Sequence, residues 1–103
     1  MEGQRVAYQL YVGVDVAAET FVAAWLVPDG SPTAPASGEQ TAAGFAALQR
    51  RLQATGVPSA AALIVLEATS AYWVAPAVAL HTAGYQVAVV NPRQAHHCFK
   101  ARL

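Results

Sequence analysis

The sequence has few charged residues and a single cysteine, and these shortages already exclude several classes of protein. Charged residues make up 12% of the 103 residues, about half of the share typical of soluble domains. Much of the surface is therefore Ala, Gly, Pro and Thr, or part of it is covered by something outside this chain, and we favour the second explanation in part. Because Cys98 has no partner within the chain, a disulfide-stapled secreted scaffold is excluded and a cytoplasmic location is favoured. No signal-peptide pattern is present, and no apolar run approaches the ~20 residues of a membrane span.

Two phosphate-binding motifs are also absent. The chain contains neither G-x-G-x-x-G nor G-x-x-x-x-G-K-[ST], so dinucleotide and P-loop binding have no support. Val16 and Ala17 follow Asp15 where the phosphate turn of a sugar-kinase-like ATPase needs glycine. Acids and bases balance at six each, but no acid follows Glu67. The basic final third is compatible with nearby nucleic acid, although a solvated helix face explains it equally well.

Hydrophobic periodicity predicts a mixed α/β fold with the element order β-β-(β)-α-β-α-β-α, which is the order of the RNase H-like fold. Asn91 and Pro92 are predicted to open a last helix, which the end of the chain truncates. The other predicted elements are strands at Gln9–Val16, Phe21–Val27, Ala36–Gln40, Ala62–Leu66 and Gln86–Val90, a helix capped by Thr41 and ending near Ala54, and a helix over Tyr72–Ala83. The Ala62–Leu66 run is predicted to be buried on both faces, as in a parallel sheet.

Asp15 and Glu67 are the residues most indicative of chemistry, because each is the one acid in or directly after an apolar strand. A carboxylate buried without a partner costs several kcal/mol, so a cation, a basic partner or water is expected beside it. If the two strands are parallel neighbours, both acids emerge at the same edge and suit Mg²⁺ or Mn²⁺. Such ions assist phosphoryl transfer. Alternatively, Asp15 caps the following turn and Glu67 the following helix; spacing alone leaves both interpretations open.

Other candidate residues have weaker support. His96–Cys98 are consecutive, and consecutive helical residues point about 100° apart, so a surface role is favoured over metal chelation. His81 is predicted to be a partly buried helix residue. Tyr72 and Trp73 are predicted to pack the start of their helix against the core rather than to stack on a base. Ser70 has no histidine placed to activate it.

Four segments of the chain resemble the insertion sequence 110 family of bacterial transposases. The most specific feature is E-A-T-x-x-Y followed by V-N-P-R, and the resemblance covers nearly the whole chain. The segments are Tyr11–Val16 (YVGVDV), Thr41–Leu52 with its A-G-F-x-x-L core, Glu67–Trp73 (EATSAYW) and Val89–Ala95 (VVNPRQA). Ser70 stands where glycine is commoner in the family.

The resemblance implies a RuvC-like, RNase H-like domain with a DEDD set of four metal-binding acids that cleave and transfer DNA strands. Asp15 would be the first acid and Glu67 the second, both catalytic and both ligands of Mg²⁺ or Mn²⁺. The other two belong to a K-T-D-x-x-D-type motif that would follow Leu103. Residues 1–103 are therefore expected to be the N-terminal portion of the domain, to bind the ion only weakly and to have little or no activity alone.

The resemblance also implies partners and further domains. Family members have a C-terminal domain with a catalytic serine and act as recombinases guided by a bridge RNA. The full-length protein is therefore expected to bind DNA and a guide RNA and to form a homo-oligomer. It is expected to associate with the nucleoid when acting and not with a membrane.

Three alternatives remain at the level of sequence. A Holliday-junction-resolvase-like nuclease shares the fold and the acid logic, but E-A-T-x-x-Y and V-N-P-R argue against it. A non-catalytic nucleic-acid-binding or oligomerisation module predicts that Asp15→Asn and Glu67→Gln change neither binding nor any response to metal. A sugar-kinase-like ATPase fragment is opposed by the missing glycine turn.

Overall fold

A five-stranded mixed sheet forms the centre of the protein. The computed structural model describes residues 8–26, 31, 33–67 and 71–90. The elements are β1 (Leu10–Val16), β2 (Thr20–Trp25), β3 (Ala36–Glu39), α1 (Ala42–Gln53), β4 (Ala62–Glu67), α2 (Val74–Thr82) and β5 (Gln86–Val90), with 3₁₀ turns at Ser59–Ala61 and Ala71–Trp73. The strands lie in the order β3-β2-β1-β4-β5; β2 pairs antiparallel with β1 and with β3, and β4 pairs parallel with β1 and with β5.

The predicted α/β architecture and the order of its elements are confirmed over the described residues. The predicted helix from Asn91 lies outside the described residues, as do Ser70 and His96–Cys98. Within the described part of the chain, neither helix is long and apolar enough to cross a membrane.

Both helices pack on the same face of the sheet. β3 to β4 through α1 and β4 to β5 through α2 are successive parallel crossovers that move in one direction across the sheet, and right-handed connections place both helices on one side. Alternate strand residues point to that side and form a single core with the buried side chains of α1 and α2. These inward residues include Leu10, Val12, Val14 and Val16 of β1 and Ala62, Ile64 and Leu66 of β4.

The prediction that the Ala62–Leu66 strand is buried on both faces is wrong. Leu63 and Val65 are only partly covered, whereas Ile64 is fully buried on the helix side. An unbroken apolar run is typical of a strand that is covered on both faces. The run does not show that both helical crossovers lie on one side of the sheet and leave the other side uncovered. The opposite side of the sheet is therefore an open face. We define it by the outward residues of three strands: Tyr11, Gly13 and Asp15 of β1, Thr20, Val22 and Ala24 of β2, and Leu63, Val65 and Glu67 of β4.

Helix α1 forms as its sequence predicts. The Thr41 hydroxyl accepts a hydrogen bond from the Gly44 backbone N–H at 3.0 Å, which satisfies one of the free donors at the helix start. The apolar stripe of Phe45, Leu48 and Leu52 is buried, and the Phe45 ring stacks on Phe21 with centroids 5.9 Å apart. Arg51 is exposed and lies over the Trp25 ring at 5.5 Å. Packing rather than helix propensity thus holds α1 on the sheet.

Helix α2 begins later than predicted, after the short 3₁₀ turn. Pro76 is its third residue, where a missing N–H is tolerated, and it is buried with Leu80. Gly84, with φ +99°, ends the helix, and Tyr85 N–H donates to the Leu80 carbonyl at 3.1 Å. This closing geometry is one that glycine adopts without strain.

Gly44 is required by a close approach between α1 and the end of β3. A Cβ atom built on Gly44 would overlap the backbone carbonyl oxygen of Glu39. By contrast, a Cβ on Gly13 of the open face meets nothing within 4 Å. The two glycines therefore form a matched pair: a methyl group collides with the backbone at Gly44 and has free space at Gly13.

We expect Gly44→Ala to lower the free energy of unfolding by about 1–3 kcal/mol, because the backbone must shift to admit the methyl group. Without that collision, alanine would stabilise a helix by about 1 kcal/mol, so the sign of the change is diagnostic. Gly13→Ala is the control and should be neutral or stabilising by up to about 1 kcal/mol. Urea denaturation measures both, and a stabilised Gly44→Ala protein would contradict the packing described.

Candidate metal centre

Asp15 and Glu67 are direct neighbours across the parallel pairing of β1 and β4. The register runs from Leu10 opposite Ala62 to Asp15 opposite Glu67, with six consecutive Cα partners. Neighbouring strands lie about 4.8 Å apart, and registered residues of parallel strands point to the same face. Both carboxylates therefore emerge side by side from the open face, at the carboxyl ends of their strands.

Both acids are exposed rather than buried. Of the three environments expected beside these carboxylates, a cation, a basic partner or water, exposure provides water. Each acid alternates with core residues, Val14 and Val16 on β1 and Leu66 on β4, which occupy the helix side. Alternation sends the acids to the open face, where water solvates them. What remains is the repulsion between two like charges on adjacent strands.

A shallow pocket of about 260 Å³ surrounds the acid pair. Its wall is otherwise apolar or formed by backbone, and no lysine or arginine lines it among the described residues. The lining residues are Gly13, Val14, Asp15, Val22, Ala24, Pro35, Val65 and Glu67. Within the described part of the chain, the two carboxylates therefore face no basic side chain in this pocket.

The capping interpretation of the two acids has no support in the described residues. Helix α2 begins seven residues after Glu67, and its N-cap residue, Trp73, has no side-chain capping bond. The turn after β1 is closed by the backbone, through a hydrogen bond of 2.9 Å from Ala17 N–H to the Thr20 carbonyl. Neither carboxylate accepts a hydrogen bond from another described residue.

The donor set of the pair fits a hard divalent ion. Two carboxylates supply oxygen ligands, which Mg²⁺ and Mn²⁺ prefer over nitrogen or sulfur. An octahedral ion needs about six ligands, so Asp15 and Glu67 can provide only part of the shell. No group of three or more His, Cys, Asp or Glu side chains converges within the described residues. The arrangement is therefore that of a partial site.

The remaining candidates lie away from the acids or differ from their predictions. His81 is exposed on α2, contrary to the predicted partial burial, and lines a separate pocket with Val78 and Thr82 on the helix side. Trp73 packs against the core, as predicted for the helix start. Tyr72 is 49% exposed, so the same prediction is wrong for this residue.

Sequence reasoning missed Gln40, which lies between β3 and α1. Its side-chain amide reaches backbone carbonyls in the turn after β1 and in the segment before α2. These contacts join residues 23 and 32 positions apart in the sequence. No local motif marks a glutamine of this kind.

The strand order, the mixed pairing and the one-sided helices are those of an RNase H-like α/β domain, and the paired acids lie at the ends of its two adjoining parallel strands. Within that class, the chain belongs to the DEDD transposase family of insertion sequence 110, whose family model, described as a transposase, matches residues 12–103. No curated protein matches the chain significantly. The resemblance drawn from the four sequence segments is thereby confirmed at the level of the family.

Removing one charge of the pair is expected to stabilise the metal-free protein. Like charges directly opposite on adjacent strands cost roughly 0.2–1 kcal/mol, and exposure places this pair toward the low end. Asp15→Asn and Glu67→Gln should therefore each raise the urea midpoint at low salt, with a gain that shrinks as salt screens the repulsion. Glu39→Gln is the control, since its cross-strand partner is Thr20. Destabilisation by Asp15→Asn at low salt would count against the proximity of the two charges.

Proposed function

We propose that Asp15 and Glu67 form half of the divalent-metal centre with which a DNA transposase cleaves and joins DNA strands. The observation that carries the proposal is the β1–β4 register, which makes the two acids neighbours on one face. Membership of the DEDD transposase family supports DNA as the substrate. Residues 1–103 would then be the N-terminal portion of a RuvC-like domain whose other acids lie in another segment.

The two side chains would act by binding and placing the ion rather than by moving protons. Asp15 and Glu67 line the pocket and are exposed, so their carboxylate oxygens are accessible to an ion and to a DNA phosphate. Gly13, two residues before Asp15, leaves space above the sheet. When bound, Mg²⁺ or Mn²⁺ would supply Lewis-acid stabilisation of the attacking and leaving oxygens in an in-line displacement.

The wider context of the proposal follows from the family rather than from the described residues. From the resemblance, we infer that the full-length protein binds a guide RNA, forms a homo-oligomer and acts on DNA in the cytoplasm, at the nucleoid. The described basic residues Arg50 and Arg51 lie on α1, on the side of the sheet away from the acids. We therefore infer that the DNA backbone near the acids is held chiefly by the ion and by segments other than α1.

Titration with Mn²⁺, followed by electron paramagnetic resonance, tests the metal centre directly. We expect the chain to bind one Mn²⁺ weakly, with a Kd on the order of millimolar, because two carboxylates leave most of the shell to water. Asp15→Asn and Glu67→Gln should each weaken binding about tenfold or more. Glu39→Gln removes an equal charge from the edge strand β3, which β2 separates from β1, and it should leave the Kd nearly unchanged.

Two outcomes would contradict the metal proposal. Binding that is the same in wild type, Asp15→Asn and Glu67→Gln would show that the ion resides elsewhere. The absence of any saturable Mn²⁺ binding would favour a non-catalytic nucleic-acid-binding module, for which the acids have no metal role.

The chain of 103 residues should not cleave DNA by itself. An incomplete shell holds the ion too weakly and places it too loosely for the in-line geometry that phosphoryl transfer requires. Incubation of supercoiled plasmid with the chain and Mg²⁺, analysed for nicked product, measures this. A cleavage rate that disappears in Asp15→Asn would show that two acids suffice and would contradict the half-site.

A further inference from the structure

The Gln40 side chain connects the two chain segments that follow the paired acids. Its Nε2 donates to the Ala17 carbonyl at 2.6 Å and to the Tyr72 carbonyl at 3.2 Å, with the Ala18 carbonyl at 3.4 Å. Ala17 comes two residues after Asp15, and Tyr72 comes five residues after Glu67. One amide thus joins the turn that leaves β1 to the 3₁₀ turn before α2.

The position of Gln40 is itself fixed by the backbone. Gln40 N–H donates to the Glu19 carbonyl at 2.9 Å, which continues the β2–β3 pairing by one residue. Thr41, the next residue, caps α1. The side chain therefore extends from a rigid junction, because the strand before it and the helix after it are both anchored in the core.

The chemistry of the contact requires an amide. All three groups that face Nε2 are carbonyl oxygens, so the position needs a donor with more than one N–H. Gln40 Oε1 is buried and has no hydrogen-bond partner among the described residues. A surface glutamine would leave that oxygen in water, whereas here the amide is packed into the junction despite the cost of a buried acceptor.

The two segments joined by Gln40 have no other hydrogen bond between them in the described part of the chain. The β1–β4 pairing ends at Asp15 and Glu67, although β1 continues for one more residue beside β2, with Val16 opposite Phe21. Beyond the acid pair, the hydrogen bonds of Gln40 connect the two segments that follow β1 and β4. Segments beyond the last strand pairing open more readily than the centre of a sheet, and the two acids are the last residues paired between β1 and β4.

We propose that Gln40 is a positioning residue that sets the spacing of Asp15 and Glu67 by joining the segments that follow them. The inference rests on the proposed metal centre and deepens it: Gln40 would tune the affinity of the acid pair for its ion without touching the ion. Outer-shell residues of metal sites typically change affinity 10- to 100-fold when altered. Since Gln40 acts through the backbone, about tenfold is the expected effect.

The test compares Gln40→Met with Thr41→Ala in the full chain. Methionine keeps the length and volume of glutamine but donates no hydrogen bond. Thr41→Ala removes the neighbouring helix cap, costs about 1 kcal/mol and leaves the amide in place, so it controls for a general loss of stability. The two readouts are the Mn²⁺ Kd by electron paramagnetic resonance and the hydrogen-exchange rate of the Ala17 amide, which is bonded to the Thr20 carbonyl.

We expect Gln40→Met to raise the Mn²⁺ Kd about tenfold and to speed exchange at Ala17, while Thr41→Ala changes neither by more than about twofold. If Gln40→Met fails to fold, Gln40→Asn replaces it. Asparagine keeps the amide but withdraws it by one methylene, and it should raise the Kd in the same direction.

The possible failures can be told apart. An unchanged Kd in Gln40→Met and Gln40→Asn, with binding still lost in Asp15→Asn, overturns the role of Gln40 and leaves the metal centre standing. An equal rise in Thr41→Ala also overturns it, because general destabilisation then explains the effect. If wild type and Asp15→Asn bind Mn²⁺ with the same Kd, both the metal centre and the role of Gln40 are overturned.

Discussion

The parallel pairing of β1 with β4 is the interaction on which the rest of the structure depends. Each strand has a fixed buried face, so a slip of one residue would turn a row of core side chains to solvent. The smallest slip that keeps both faces is two residues, and it would move Asp15 and Glu67 apart by roughly 7 Å along the strands. The hydrophobic core therefore specifies the distance between the two acids, although neither acid belongs to the core.

One-sided burial follows from the same pairing and shapes the site. Successive crossovers on one side fill the helix face with α1 and α2, and the open face keeps the acids beside exposed apolar residues such as Tyr11 and Val22. Further ligands of the proposed centre must approach from this open face, because the other is occupied. The low charge of the sequence agrees with this arrangement, since much of the surface of one face is apolar.

Local patterns predicted most of the fold, and long-range geometry accounts for what they missed. Alternation in β1 and the Thr41 cap of α1 are local signals, so both elements were predicted nearly to the residue. The juxtaposition of Asp15 and Glu67 followed once their strands were taken as parallel neighbours. The burial of the Ala62–Leu66 strand on both faces was predicted wrongly because an apolar run does not show which face its neighbours cover. Gln40 was missed because its partners come from distant turns.

The central claim is that Asp15 and Glu67 hold one divalent ion between them. A crystal of the chain grown with Mn²⁺ and measured at the manganese absorption edge tests this most directly. We expect a single anomalous peak on the open face, within about 2.0–2.3 Å of carboxylate oxygens from both residues. A peak bound by one acid alone, or a peak elsewhere with both carboxylates free, would contradict it.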